Sequence, residues 1–600
     1  MFQTFENRAD PSTGQARLAA LRAQMSANGL AGFLVPRADA HQGEYCAPHD
    51  ERLAWVSGFT GSAGFCAVLA HRAGVFIDGR YRTQVKEQVD LKVYTPVPWP
   101  ETPLKTWLEA ELPAGGVIGY DAWLHSAQEI EELEQALEPK GFLFRPTDNL
   151  VDQIWPDQPA PPRGLITPYP EALAGESHAS KRKRLGRSLQ ALGQSAAVLT
   201  LPDSIAWLLN IRGSDIPRNP VPHCFAILFD TGNLSLFVAA EKLDGQLRAH
   251  LGPEITLRPP SAFLPALHSL QGAVRIDRAS APVKLAHELR EGHATLSWGE
   301  DPCLLPKACK TSAEITGTQE AHLRDAAAMV EFLSWYDQQP PGSLTEIDVV
   351  SRLEQARRAS GALKDISFET IAGTGPHGAI MHYRVTTETN APLKEGQLLV
   401  LDSGGQYLDG TTDITRTLPV GAVGHSEKEA YTRVLQGMIA ISRLRFPKGL
   451  AGRDLDAIAR YPLWLAGQDF NHGTGHGVGV YLCVHEGPQR LSRVSQVPLR
   501  AGMILSNEPG YYREGAFGIR LENLIVVQEA CALEGADARE MFDFLTLTYV
   551  PLDRRLILPE ALSRDERNWL NHYHAACAAK VAPRVSEPAQ KWLTAATQPI

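Results

Sequence analysis

The sequence predicts an α/β protein that ends in an α+β part. Three observations predict it. Apolar runs of strand length alternate with amphipathic helical stretches over the first half of the chain. The alternation restarts after a Pro-rich segment. From about residue 311 the texture changes to long helices, followed by strands and Gly-rich turns that carry most of the side chains capable of chemistry.

The elements follow in order. Ala16, Leu18, Leu21, Met25 and Leu30 recur near helical spacing, so residues 16–31 are predicted as a helix. The apolar run Ala31 to Val35 reads as a strand, as do 65–70 and 73–77, and a helix is expected from Arg82 to Val89. Trp155-Pro156-Asp157-Gln158-Pro159-Ala160-Pro161-Pro162 opens a segment, 155–170, expected to be a linker. Beyond it Lys181 to Leu192 reads as a helix and Ala196 to Leu199 as a strand. Ala54-Trp55 recurs as Ala206-Trp207, and Gly61-Ser62 as Gly213-Ser214, all at an offset of 152. So long a period points to a duplicated domain, not a solenoid. The basic run Lys181-Arg182-Lys183-Arg184 has no interleaved aromatics and is expected to form a solvated helix face. Thr311-Ser312-Ala313-Glu314 has the pattern of a capping box opening a long helix to about Asp337. A second helix is expected from Thr345 to Ser360.

At roughly 100–200 residues per domain, 600 residues suggest three to five domains. Lys and Arg number 58 against 68 Asp and Glu, a net charge of −10, which argues against nucleic acid as the main partner. Eight Cys are scattered without a Cys-x-x-Cys pair, so neither a disulfide framework nor a zinc–thiolate site is expected. No basic segment followed by an apolar run opens the chain, no stretch nears the roughly 18 apolar residues of a membrane span, and no prenylation Cys ends it. A soluble cytoplasmic protein is expected.

The last part of the chain holds a constellation. Leu398-Leu399-Val400-Leu401-Asp402 is a buried strand ending in a carboxylate, and Thr411-Thr412-Asp413-Ile414-Thr415-Arg416-Thr417 returns after a turn. A hairpin would bring Asp402 and Asp413 together, where one must be protonated or a cation must lie between them. A turn residue and a cap remain the alternative. In His472-Gly473-Thr474-Gly475-His476-Gly477-Val478-Gly479, four Gly allow close approach to a ligand, but neither a P-loop ending nor dinucleotide spacing is present. His485-Glu486-Gly487-Pro488 adds a polar cluster. Met503 to Tyr512 delivers Glu508 at the end of an apolar strand, stopped by Pro509-Gly510. In Gly518 to Val527, period two puts Arg520 and Glu522 on one face, where they could simply pair with each other. Together, four strand-borne carboxylates and one Gly-flanked His form the ligand set of a carboxylate-bridged dimetal site. Oxygen ligation with one imidazole favours Mn, Co or Zn. Two such ions can activate a water and polarise a carbonyl.

These motifs in this order resemble the pita-bread metallopeptidases, in particular the three-domain Xaa-Pro aminopeptidases of cytosolic type. The resemblance extends to Trp55 to Gly64 and Asp78-Gly79-Arg80-Tyr81, to Ile205 to Asp215, and to Trp569-Leu570-Asn571-His572-Tyr573-His574. It implies two creatinase-like α/β domains, 1–155 and 156–310, and a pita-bread catalytic domain with a C-terminal extension, 311–600. It implies that Asp402 is a terminal ligand of one metal, that His476 and Glu508 hold the other, and that Asp413 and Glu522 bridge. Glu508 would also be general base, and His382 and His485 would lie at the scissile bond as catalytic groups. Arg520 would brace the metal carboxylates and, with His472, border the substrate. Two divalent ions, manganese first and zinc or cobalt next, and a homodimer are implied too.

The expected reaction is release of the N-terminal residue from peptides with proline second, by attack of a dimetal-bridging hydroxide. Proline lacks the amide N–H used in strand pairing, so a dedicated apolar pocket is expected. The alternatives are a prolidase cutting Xaa-Pro dipeptides with the same ligands, a methionine aminopeptidase, which needs no leading domains, a non-catalytic peptide-binding module, which needs no ligands, or a creatinase-like hydrolase without metal.

Overall fold

A computed structural model describes residues 1–600. The chain divides into two compact units, Arg8–Lys307 and Ala308–Ile600, the latter joined by Met1–Asn7.

In the first unit the predicted alternation builds two six-stranded sheets of the same design. The first runs in the order Thr95–Pro98, Ala73–Ile77, Phe65–Leu69, Gly32–Pro36, Gly116–Tyr120, Phe142–Pro146. Gly32–Pro36 pairs antiparallel with Phe65–Leu69 and parallel with Gly116–Tyr120. The second runs Ile255–Arg258, Leu234–Phe237, Phe225–Phe229, Gln194–Leu199, Gly272–Ile276, Ala294–Trp298, with the same senses at the matching places. The repeated Ala-Trp pairs fall on corresponding helices, Arg52–Ser57 and Pro202–Leu209. The first helix spans Gly14–Ala27, and the one expected over 82–89 shortens to Gln84–Gln88. The Pro-rich segment is anchored at its start, where Trp155 stacks on Trp55 at 5.3 Å.

The basic run departs from expectation. Lys181 and Arg182 are 0% and 1% exposed, so only half of the run faces solvent. The Lys181 ammonium lies 4.3 Å from the Trp207 ring centroid and donates to the Trp207 carbonyl and to Asn210 Oδ1. Arg182 donates to the Gly232 carbonyl and to Glu254. Acceptors from three other segments draw the two cations inward, and a helical charge pattern cannot display partners so distant. Lys181→Ala should lower stability by about 2–3 kcal/mol in denaturant melts, because buried acceptors lose their donor. Lys183→Ala, at an exposed position, should change it little.

The second unit opens with helices Ser312–Tyr336 and Glu346–Ala359. Both have the reciprocal cap that Thr311 with Glu314 and Thr345 with Asp348 form. Strands Ile371–Thr374, Leu398–Ser403 and Ile414–Pro419 make a three-stranded antiparallel sheet. A six-stranded sheet runs Phe446–Pro447, Met541–Thr546, Asn523–Glu529, Ile504–Asn507, Gly475–Gly477, Glu486–Leu491. Helices His425–Ser442 and Arg564–Val581 bury Val434, Leu435, Met438 and Leu570 against Leu398, Ile519 and Leu521. Met329, Val330 and Leu333 pack with Val349, Val350, Leu399 and Leu401. Residues 1–7 are tied in by Gln3, which exchanges side-chain hydrogen bonds with the backbone of Thr370, and by Thr387, whose N–H donates to the Phe5 carbonyl. This is the α/β and α+β class expected from the sequence.

Candidate metal centre

The strands of this second unit bring the five predicted ligands together. Asp402 lies in Leu398–Ser403, opposite Thr415. Asp413 immediately precedes the partner strand Ile414–Pro419. His476 is central in Gly475–Gly477, and Glu508 follows Ile504–Asn507, its N–H donating to the Thr474 carbonyl. Glu522 does not lie on one continuous strand with Arg520, as period two suggested. Phe517–Arg520 ends in a hairpin with Gly510–Arg513, and Asn523–Glu529 begins in the six-stranded sheet. Leu521 and Glu522 make the crossing, and the Glu522 N–H donates to the Thr415 carbonyl.

Ligand atoms of Asp402, Asp413 and Glu522 lie within 4.8 Å of one another, as do those of His476, Glu508 and Glu522 and those of Asp413, His476 and His485. Asp413, His476 and Glu522 each belong to two of these groups. His476 Nδ1 sits 2.9 Å from the Gly477 carbonyl, which can only accept, so Nε2 is the atom turned inward. It lies 3.5 Å from Asp413 Oδ2 and 3.4 Å from Glu508 Oε1. Ser506 steadies both residues: its hydroxyl accepts from the His476 N–H and donates to Glu508. Thr415 donates to Glu522 Oε2 at 2.9 Å.

The electrostatics call for cations. Burial, then the charges of Asp402 and Glu508, push the Asp413 carboxyl well above the ordinary carboxylate range. Burial, then Asp413, Glu508 and Asp402, do the same to Glu522, and burial raises Glu508. Asp402 Oδ1, Asp413 Oδ1 and Glu522 Oε1 are buried and accept no hydrogen bond. Acceptor oxygens of one sign, converging without donors, are costly unless positive charge lies among them. The donor set of carboxylates and one imidazole fits hard or borderline divalent ions. All eight Cys are free thiols and none belongs to these groups.

Arg520 is 3% exposed and fully engaged. It donates to Asp402 Oδ2 at 2.7 Å, to the Tyr512 hydroxyl at 2.6 Å, and to the Met381 carbonyl at 3.2 Å. Its guanidinium therefore braces Asp402 and ties the segment carrying His382 to the cluster. Burial pushes the Tyr512 phenol up to about 12, so near neutrality it keeps its proton and can donate to His472 Nε2, 2.9 Å away. His472 Nδ1 lies 2.7 Å from the Gly473 carbonyl. This chain of hydrogen bonds fixes the His472 ring between Phe470 and Tyr512. The His485 ring meets that of His476 edge-on, with centroids 4.4 Å apart. His382, half-buried, follows the turn Gly375–Ala379. That turn packs so closely on Phe517–Arg520 that a Cβ on Gly518 would lie 1.7 Å from the Gly378 carbonyl oxygen.

Some supporting residues escaped sequence reasoning. Asp456 accepts from the Thr474 N–H and hydroxyl, and Arg460 donates to the carbonyls of Phe470 and His472, fixing the Gly-rich loop. Their i,i+4 spacing on helix Gly452–Trp464 resembles any surface pair. Tyr512 stands four residues after Glu508, and that proximity was the available signal.

Comparison with known proteins places this geometry. Residues 316–529 match the model of metallopeptidase family M24, and 540–600 match the C-terminal region of that peptidase. Residues 17–154 and 157–314 each match a creatinase/prolidase N-terminal domain. A protein of Aspergillus clavatus named probable Xaa-Pro aminopeptidase P is 37% identical over 97% of this chain and 92% of its own. Aminopeptidase P2 of Arabidopsis thaliana is 38% identical, covering 95% of this chain and 86% of its own. The crystal structure of an X-prolyl aminopeptidase from Caenorhabditis elegans, described as a cytosolic enzyme with a di-nuclear active site, superposes with a TM-score of 0.93 at 32% identity, covering 98% of this chain and 100% of that one. A prolidase from Pyrococcus horikoshii, at 23% identity and a TM-score of 0.50, shares the fold over 62% of this chain. The chain belongs to metallopeptidase family M24, with creatinase-type N-terminal domains ahead of a pita-bread catalytic domain.

Proposed function

We propose that the protein is a metal-dependent aminopeptidase that releases the N-terminal residue from peptides with proline at the second position. The observation that carries this is the cluster of Asp402, Asp413, His476, Glu508 and Glu522, with three buried carboxylate oxygens that accept no hydrogen bond. Relatives named for this activity match nearly the whole chain.

Asp402, Asp413, His476, Glu508 and Glu522 would hold two divalent ions, and Asp413 and Glu522, the two carboxylates that recur among the groups, are read as the bridging pair. Bound there, the ions supply positive charge that activates a water and polarises a carbonyl. We read Glu508 as general base, because its carboxylate lies at the cluster, 3.4 Å from His476 Nε2 and steadied by the Ser506 hydroxyl. We read His485, beside His476, and His382, on the segment tied to Arg520, as donors to the carbonyl oxygen or to the leaving proline nitrogen. Arg520 keeps Asp402 oriented. His472 and Tyr512 shape the adjoining wall, where we place the proline side. Manganese is proposed as the metal on the oxygen-rich donor set.

The chain is read as three domains, 1–155, 156–310 and 311–600, and the family segments 17–154, 157–314 and 316–529 support this. No helix is long and apolar enough to cross a membrane, and we propose a cytoplasmic enzyme. We also propose a homodimer: Tyr461, Trp464, Leu465 and Val494 are 58%, 43%, 73% and 76% exposed, and Arg493 lies over the Trp464 ring, so an apolar patch is left uncovered. Leu465→Asp should shift the sedimenting species from dimer to monomer.

The deciding experiment offers Xaa-Pro dipeptides and longer Xaa-Pro-Xaa peptides to metal-stripped protein, with and without Mn²⁺. Metal-dependent release of the first residue from the longer peptides is expected. Cleavage of dipeptides alone would mark a prolidase, and no cleavage would overturn the enzymatic reading.

A further inference from the structure

Glu346 is a glutamate at the start of helix Glu346–Ala359 with no exposed surface at all. Four donors converge on its carboxylate. The Thr374 N–H and His377 Nδ1 each lie 2.8 Å from Oε1. The Tyr383 hydroxyl and the Ala391 N–H lie 3.0 and 3.1 Å from Oε2. The Glu346 N–H in turn donates to the Ala391 carbonyl. The His377 ring stacks on Tyr383 with centroids 4.4 Å apart. Every one of these donors belongs to the segment 374–391, and His382 lies within it, next to Tyr383. The other face of that segment meets Arg520 through the Met381 carbonyl.

We infer that Glu346 is a positioning residue for the peptidase reaction: it gathers both ends of the 374–391 segment onto one rigid helix and so sets where His382 stands relative to the metal carboxylates. The inference rests on the reading of His382 given above. A carboxylate suits the post because it accepts from four donors and donates to none. An amide would not, since whichever oxygen became NH₂ would face a backbone N–H, of Thr374 or of Ala391, and a backbone N–H cannot reverse its role as a hydroxyl or an imidazole can. Position matters to rate, because displacement of a reacting group by about 1 Å can cost about 100-fold.

The test uses full-length, metal-loaded protein and the variants Glu346→Gln, Tyr383→Phe and His382→Ala, with each of the first two also combined with His382→Ala. Glu346→Gln should lower kcat on a Xaa-Pro-Xaa peptide by about 10- to 100-fold, with KM changed less and two ions per chain retained. Tyr383→Phe should show a smaller loss of the same kind, and it carries the test if Glu346→Gln does not fold. The doubles should be no slower than His382→Ala alone, because a residue acting through His382 has nothing left to act on. Hydrogen exchange in Glu346→Gln should quicken within 374–391 and not elsewhere. Additive losses, a kcat loss that tracks loss of metal, a His382→Ala enzyme as fast as wild type, or unchanged exchange in 374–391 would each overturn the inference. A wild type that cleaves no Xaa-Pro peptide would instead refute the proposed activity, and exchange alone would then decide whether Glu346 holds the segment.

Discussion

Replacement of Asp413 by Asn should abolish tight binding of the second ion and lower kcat/KM by about 10²- to 10⁴-fold, the worth of several kcal/mol of charge stabilisation. The same change should leave the metal-stripped protein at least as stable as the stripped wild type. Both follow from one arrangement. Asp413 is 4% exposed, its Oδ1 accepts no hydrogen bond, and its carboxyl group is forced upward in proton affinity by burial and by Asp402 and Glu508. In the absence of cations it is a buried acid among acids, and its removal relieves repulsion. In their presence it is a ligand whose amide replacement carries no charge. A site built for catalysis is expected to cost stability in this way. Metal analysis after gel filtration, steady-state kinetics and melting of both stripped proteins give the three readings. A variant that kept two ions and full activity would remove Asp413 from the site. A stripped variant markedly less stable than stripped wild type would mean that the carboxylate has a structural partner.

The sequence made Asp402, Glu508 and His476 legible as candidate ligands because each is delivered by a local device. Leu398 to Asp402 and Met503 to Glu508 are apolar runs that end in an acid, and the Gly residues around His476 mark close approach. Such devices need only the residues within them. What was illegible depended on partners far along the chain. Lys181 and Arg182 read as solvated because their acceptors at Trp207, Asn210, Gly232 and Glu254 could not be foreseen. Gly518 to Val527 read as one strand because no Gly or Pro marks the change of sheet at Leu521-Glu522, which the two sets of strand partners alone impose. Glu346 drew no reading of its own, since an acid in a first helical turn is already favoured by the helix dipole. Its four donors lie 28 to 45 residues downstream. Supporting residues are harder to see than ligands for this reason: a ligand faces an ion, whose needs are known in advance, and a support faces whatever the fold has brought there.

The stabilisation that metal confers should grow with pH. In the stripped protein, Asp413 and Glu522 hold their protons well above the ordinary carboxylate range, through burial first and neighbouring carboxylates second. In the unfolded chain they titrate near 4. Between that value and their folded values the native state binds more protons than the unfolded state does. Their contribution to stability is therefore fully present below about pH 4 and is lost as pH rises through the folded values, at about 1.4 kcal/mol per group per unit. Cations replace those protons, so metal uptake releases protons and tightens as pH rises. The gap in melting temperature between loaded and stripped protein should widen steadily from pH 5.5 to pH 8. Taking the difference isolates the site. Asp39, held near 2 largely by His223 and His41 against the cost of burial, adds the same stability to both forms over this range and cancels. So do the carboxylates that Arg partners hold low, such as Asp325 beside Arg357. Melting at a fixed excess of free Mn²⁺, with matched chelated controls at each pH, makes the measurement, and proton release on metal addition in weak buffer checks it independently. In Asp413→Asn the widening should be reduced, because one of the raised carboxyl groups of the cluster is gone. A gap that stays constant or narrows with pH would show that the carboxyl groups of the stripped site are already ionised, and the electrostatic account of the cluster would fail.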